Sequence, residues 1–165
     1  MCDRKELLKI IYERRSVRSY KKKPISDDVL KAILEAGRLA PSAHNQQPWH
    51  FIVVRNPEIK RKLIFMSWNS FIEEASVLIV GCGDPRSEWM TVDVAIALQN
   101  MVIAAEALGL ASCWIGAFDE AEVKEILKIP ENLRVVAMIT IGYPAEKPEM
   151  PPKKKLEEIV HYDRF

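Results

Sequence analysis

Apolar and polar positions change period several times along the chain, and each change marks an element. Leu7, Leu8 and Ile11 share one helical face after Asp3 and Glu6, whose spacing resembles a capping box, so a first helix is predicted to end near Tyr12. Ser26 reads as the N-cap of a second helix. Its first turn carries Asp27 and Asp28, which suit the positive end of the helix dipole, its apolar face is Val29, Leu30, Ile33 and Leu34, and it ends near Gly37. Leu39 to Pro48 is a loop rich in turn formers and side-chain amides, leading into a buried strand, Phe51-Ile52-Val53-Val54. Asn56-Pro57 opens a third helix, predicted to reach about Met66, and Val77-Leu78-Ile79-Val80 is the second strand.

From Thr91 to Leu108 nearly every residue is apolar, with Asp93, Gln99, Asn100 and Glu106 as exceptions, so this helix has no wet face and must be buried on most sides. It reaches only about 27 Å and carries two carboxylates, which favours a protein core over a membrane span. One chain of this size has few elements with which to surround such a helix, and a dimer interface would supply the missing partner. Gly109 ends it with a left-handed cap, Ala111 to Ile115 reads as a third strand, Asp119 caps a helix through Leu127, and Val135 to Ile141 is the fourth strand. Strands and helices do not alternate with one phase, which points to an α+β sheet flanked by helices. Beyond Pro144, Pro148, Pro151 and Pro152 forbid a continuous helix until Leu156. Residues 145–165 are expected to form an extended arm that packs on a partner subunit and carries Lys153, Lys154 and Lys155 to a shared site.

Composition narrows the class. With 165 residues, 48% of them hydrophobic, the chain suits a single domain spanning 1–165. A formal net charge of +1 gives no global field that would attract nucleic acid or an acidic membrane face, and neither is expected as a partner. The distribution is uneven, however, because the segment from Arg4 to Lys23 holds nine Lys or Arg against two Glu. Cys2, Cys82 and Cys113 lack metal-site spacing, and Cys82 and Cys113 sit in apolar runs as small core residues. No apolar signal core precedes the first helix, so a reducing, cytoplasmic setting is expected.

Two segments carry candidate chemistry. In Arg14-Arg15-Ser16-Val17-Arg18-Ser19-Tyr20, guanidinium forks and hydroxyls just after a helix suit a phosphate ester, while a solvated basic helix end is the competing reading. In Ala40-Pro41-Ser42-Ala43-His44-Asn45-Gln46-Gln47-Pro48-Trp49, prolines fix the ends, Ser42, Asn45 and Gln47 offer donors and acceptors to a flat heterocycle, and Trp49 plugs the loop into the core. A polar turn satisfying its own backbone is the alternative there. His44 reads as a surface histidine, having no carboxylate partner nearby in sequence.

These motifs, with the G-L-A-S-C-W-I-G strand and the closing L-E-E-I-V-H-Y-D-R-F, resemble the nitroreductase family of FMN-dependent oxidoreductases along essentially the whole chain. The resemblance implies an α+β fold with a central mixed sheet flanked by helices, and an intertwined homodimer with FMN at the subunit interface. By position, Arg14 and Ser16 match residues holding the phosphate and ribityl chain, with Arg15 contributing mainly through its backbone, and Arg18 matches the cation at the flavin's pyrimidine edge. Pro41, Ser42 and Asn45 match the loop that the partner subunit lays against the ring system. Ile115 and Gly116 match backbone near the hydride-accepting nitrogen, and Lys153 and Lys155 resemble basic residues that complete the phosphate site. Asn69 corresponds to a side-chain amide contacting the flavin. The short span Gly83 to Met90 predicts a more open pocket than in longer relatives, with Trp89 and Phe71 as lining candidates or ordinary packing. The implied activity is NADH- or NADPH-dependent reduction of a small acceptor, such as a nitroaromatic or quinone, by a ping-pong mechanism with no catalytic side chain. Two alternatives are a flavin-binding protein without turnover and a basic nucleic-acid-binding module.

Overall fold

β-Branched and aromatic runs form four strands: β1 Trp49–Val54, β2 Val77–Gly83, β3 Ala111–Ile115 and β4 Arg134–Gly142. The computed structural model describes residues 4–165, with side chains from residue 8 onward, so the expected Asp3–Glu6 capping pair, the Leu7 side chain and Cys2 lie outside the described residues. Around the strands lie helices α1 Arg4–Glu13, α2 Asp27–Arg38, α3 Pro57–Lys62, α4 Phe71–Glu74, α5 Met90–Ala107 and α6 Glu120–Leu127. The strands run in the order β1-β2-β4-β3, with Ile79 on β2 opposite both Val53 and Ile139.

Alternation along the strands divides the core in two. Leu78, Val80 and Cys82 face one way with Cys113, Ile115 and Met138, under Leu63, Ile72 and Val123. Val77, Ile79, Ile139 and Ile141 face the other way, under Leu30 and Ile33 from α2 and Val94, Leu98 and Met101 from α5. Every residue of β2 is buried, which is why it reads as an unbroken apolar run. Glycine lets α5 lie this close: a Cβ at Gly81 would stand 2.7 Å from Leu98 Cδ1.

The predicted caps are present. Ser26 Oγ accepts from Val29 N, Asp119 Oδ1 accepts from Glu122 N at 3.0 Å, and Gly109 takes a φ of +73° while Leu110 N donates to Ala105 O. Cys82 and Cys113 are free thiols in the core, and burial pushes Cys82 up to about 11.

Four expectations need correction. The sheet is not mixed among its described strands, because all three pairings are antiparallel. β2 and β3 do run the same way, joined across α5, but β4 lies between them, and the one parallel pairing among the described residues is the isolated bridge Ser16–Ser112. β1 is a half-buried edge strand, since only one side of it has a neighbour. Trp49 accordingly stays half-buried: stacked on Phe51 with ring centroids 6.4 Å apart, it packs against the core from its margin and does not enter it fully. Finally, α3 stops at Lys62: Ile64 and Phe65 both pack on the core, and a helix would turn two consecutive side chains about 100° apart.

From Pro151 to Phe165 every residue is exposed, with only a single helical turn at Leu156–Glu158.

Candidate functional site

The basic segment leaves α1 and becomes extended because its apolar members are drawn into the core. Val17 and Tyr20 are buried, and the Tyr20 hydroxyl donates to Val17 O at 2.7 Å beside Thr140 Oγ1 at 2.8 Å. Burial holds the Tyr20 phenol above its ordinary range, so it stays a neutral donor. Four backbone donors of the segment find four different partners. Val17 N donates to Ser112 O at the edge of β3, Tyr20 N to Glu74 Oε2 at 3.1 Å and Lys21 N to Tyr143 O. Arg18 N donates to Glu146 Oε1 at 2.6 Å.

With Val17 and Tyr20 turned inward, the arginines line a cavity of about 640 Å³. Arg14, Arg15, Ser16 and Arg18 form one wall, and Pro148 to Pro151 with Lys153 form the other. Arg15 Nη1 is occupied with the carbonyls of Tyr12 and Arg14, both at 2.8 Å, capping the end of α1. Arg14 differs, since its Nη1 is buried and has no hydrogen-bond partner among the described residues. An unpaired guanidinium nitrogen beside further cations and a hydroxyl calls for an anion with several oxygens, and a phosphate ester fits that donor set. Lys155 does not line this cavity; its backbone N–H caps the Leu156 turn through Glu158 Oε2.

The second motif lies elsewhere. Ser42 Oγ accepts from Gln47 N at 2.9 Å, and Ala43 N donates to both carboxylate oxygens of Asp93, a buried residue in the first turn of α5. His44, Asn45 and Gln47 all adopt left-handed backbone, with φ near +50°, a strain that clusters at functional sites. Pro41 and Asn45 are exposed at the tip. Ile115 is buried at the end of β3, and Gly116 follows it with open space where a Cβ would point. The loop precedes β1 while Gly116 follows β3, so they belong to opposite edges of the sheet, about 14 Å apart at ordinary strand spacing. One chain therefore brings Arg14, Arg15, Ser16, Arg18 and Lys153 together but keeps Pro41, Ser42 and Asn45 apart from Ile115 and Gly116.

Asn69 is fully buried between α3 and α4, its Oδ1 accepting from Met66 N while its Nδ2 has no partner. Phe71 is core packing, whereas Trp89 is half exposed after a tight turn in which Arg86 pairs with Asp84 and holds its carboxyl down at about 2. Three site neighbours escape sequence reasoning: Glu146 and Asp93, which bind backbone far away in the chain, and Glu106. Glu106 is half-buried near Arg14 and Arg15, and burial raises its carboxyl above the ordinary range. Only the spacing of Asp93 and Glu106 on an otherwise apolar helix signals any of them.

Comparison with known proteins bears on this arrangement. The sequence profile of the Nitroreductase family matches residues 11–80 and 66–143. An Archaeoglobus fulgidus protein provisionally named as an NADH dehydrogenase/NAD(P)H nitroreductase is 40% identical over 153 residues, covering 86% of this chain and 87% of that one. The Bacillus subtilis FMN reductase [NAD(P)H] is 28% identical over 185 residues, covering 97% and 74%. Among solved structures, the Vibrio harveyi NADPH:FMN oxidoreductase complexed with NAD+ superposes with a TM-score of 0.89 at 28% identity, covering 96% of this chain and 77% of that one.

Proposed function

The chain belongs to the nitroreductase family, and on that premise we propose that two copies of it hold FMN between them and pass electrons from NADH or NADPH to a small acceptor, such as a nitroaromatic or quinone, in ping-pong order. It is an NAD(P)H-dependent flavin oxidoreductase like its relatives, so the residues have to grip an anionic cofactor and leave one face of its ring open. The buried Nη1 of Arg14, unpaired among the described residues, on a cavity lined by four cations and one carboxylate, Glu149, is the observation that carries this reading. FMN, when bound, supplies two-electron chemistry linking the nicotinamide donor to the acceptor.

The chain's own residues bind and orient. Arg14, Ser16 and Lys153 hold the phosphate and ribityl end, with Arg15 capping α1 and Lys155, two residues beyond Lys153, reaching the same site once the arm meets a partner. Arg18 places positive charge at the pyrimidine edge, where it stabilises negative charge. Ile115 and Gly116 offer backbone to the ring, and the missing Cβ of Gly116 permits close approach. Pro41, Ser42 and Asn45 belong to the far edge of the sheet, which supports their reaching the ring from the second copy. Exposed Val92 and Ile96 on α5, with Leu156, Tyr162 and Phe165 on the arm, support the same dimer.

One cuvette tests the reading. The purified protein should be yellow, bleach on anaerobic NADH or NADPH, and recolour with a nitroaromatic or quinone, and initial rates should give parallel double-reciprocal lines. A yellow protein that does not bleach would be a flavin carrier without turnover. A colourless one with salt-dependent DNA or RNA affinity would be a nucleic-acid-binding module instead.

A further inference from the structure

Among the described residues the Arg18 guanidinium forms no ion pair, so its backbone fixes where it lies. That backbone is joined to the root of the C-terminal arm. Lys21 N donates to Tyr143 O, Tyr20 bridges Pro144, and Ala145 N donates to Ser19 O at 2.9 Å. One residue further on, the ladder of main-chain bonds ends. The Glu146 side chain takes the place of the next carbonyl, receiving Arg18 N–H at 2.6 Å, and the chain then turns at Pro148 to build the opposite wall of the cavity.

A carboxylate makes this closing bond about twice as strong as a neutral carbonyl would. It also puts an anion beside the cationic segment, where it offsets part of the positive field that an anionic ligand would feel. Two main-chain hydrogen bonds, which together make the Tyr20–Pro144 bridge, already fasten the arm, so its attachment does not rest on Glu146 alone. What depends on it is Arg18, the last residue of the segment to line the cavity.

Resting on the functional reading above, we infer that Glu146 is a positioning residue: by holding Arg18 N–H, it fixes the Arg18 guanidinium at the flavin's pyrimidine edge and so sets how strongly the site prefers reduced over oxidised FMN. The bond depends on reach, and its local charge opposes that of Arg18. Two substitutions separate these properties. Glu146→Asp keeps the charge but is one methylene too short, and Glu146→Gln keeps the reach but loses the charge.

The test measures the midpoint potential of bound FMN and its dissociation constant by flavin fluorescence, in wild type, Glu146→Asp, Glu146→Gln and Arg18→Ala. Arg18→Ala and Glu146→Asp should both lower the potential, the latter by about 30 mV, equivalent to about a tenfold loss of preference for the reduced form in a two-electron couple. Glu146→Gln should not lower it. A Glu146→Asp protein with the wild-type potential overturns the inference, as does an equal fall in both Glu146 variants or an Arg18→Ala protein that is unshifted. A potential that rises in Glu146→Gln while Glu146→Asp stays at wild type would assign Glu146 a purely electrostatic role and overturn positioning. A colourless wild-type protein would overturn the functional reading itself, and this inference with it, before any variant was made.

Discussion

Arg14 and Glu106 show how a single side chain's surroundings become a measurable property. Arg14 Nη1 is removed from water and has no partner among the described residues, so an incoming phosphate gains a charged hydrogen bond whose donor is already desolvated. Arg14→Ala should weaken FMN binding by about 1.5–3 kcal/mol, roughly ten- to a hundredfold, in a fluorescence titration. Arg14→Lys should recover only part of that, because an ammonium cannot make the forked contact. Glu106 works in the opposite sense. Burial raises its folded carboxyl pKa, so the folded state holds a proton that the unfolded state has already lost. Its contribution is present below the ordinary carboxylate range and is lost as pH rises through the raised value. The Tm of wild type minus that of Glu106→Gln should therefore fall as pH increases across that window, and a pH-independent difference would contradict the raised pKa.

At the scale of elements, the strained loop and α5 depend on each other. Asp93 accepts Ala43 N–H with oxygens at 3.2 and 3.3 Å, and it is the tie between the helix and a loop holding three left-handed residues. Asp93→Ala leaves that donor without its partner and should cost about 1–3 kcal/mol, read as a Tm drop of a few degrees with faster proteolysis inside residues 41–48. Asp93→Asn keeps an acceptor and should lose less. Elements signalled by local chemistry were legible in the sequence: Ser26 and Asp119 as caps, Gly109 as a left-handed stop, and Ala111–Ile115 as a strand. The end of α3 was not, because Ile59 and Leu63 continue a helical period while the core claims Ile64 and Phe65 together. Nor was the antiparallel sheet, since strand order is decided by where β4 inserts and no local residue encodes that. In the candidate site, the three arginines were legible because they cluster within five positions of the chain, and Lys153 because it opens a run of three lysines. Glu146 was not, because it acts on a backbone amide 128 residues away.

For the whole molecule, the decisive feature is apolar surface that one chain leaves uncovered. The inner side of α5 is buried on the sheet, with Val94, Leu98 and Met101 fully covered, while Val92 and Ile96 on the outer side are 48% and 36% exposed. By length and composition α5 passes as a membrane-crossing helix, but its packing on β2 and β4 makes it a core helix whose outer side is left for another protein surface. The arm repeats the pattern, with Leu156, Ile159 and Tyr162 exposed. In the proposed dimer a second copy would cover both surfaces and also bring the Pro41–Asn45 loop to a flavin held by Arg14 and Arg18, a reach that the distance between sheet edges denies to a single chain. Dimerisation and cofactor retention should therefore fail together. The double variant Val92→Glu, Ile96→Glu puts charges on the outer side of α5 without disturbing the inner face. Sedimentation should show it at half the wild-type mass, and FMN should be lost on gel filtration. Because the arginine cavity is built within one chain, weak binding of free phosphate at Arg14 should survive in that monomer. Retained dimer mass with full flavin would mean that the subunits meet elsewhere, and a monomer that keeps its flavin would mean that the loop residues come from the same chain.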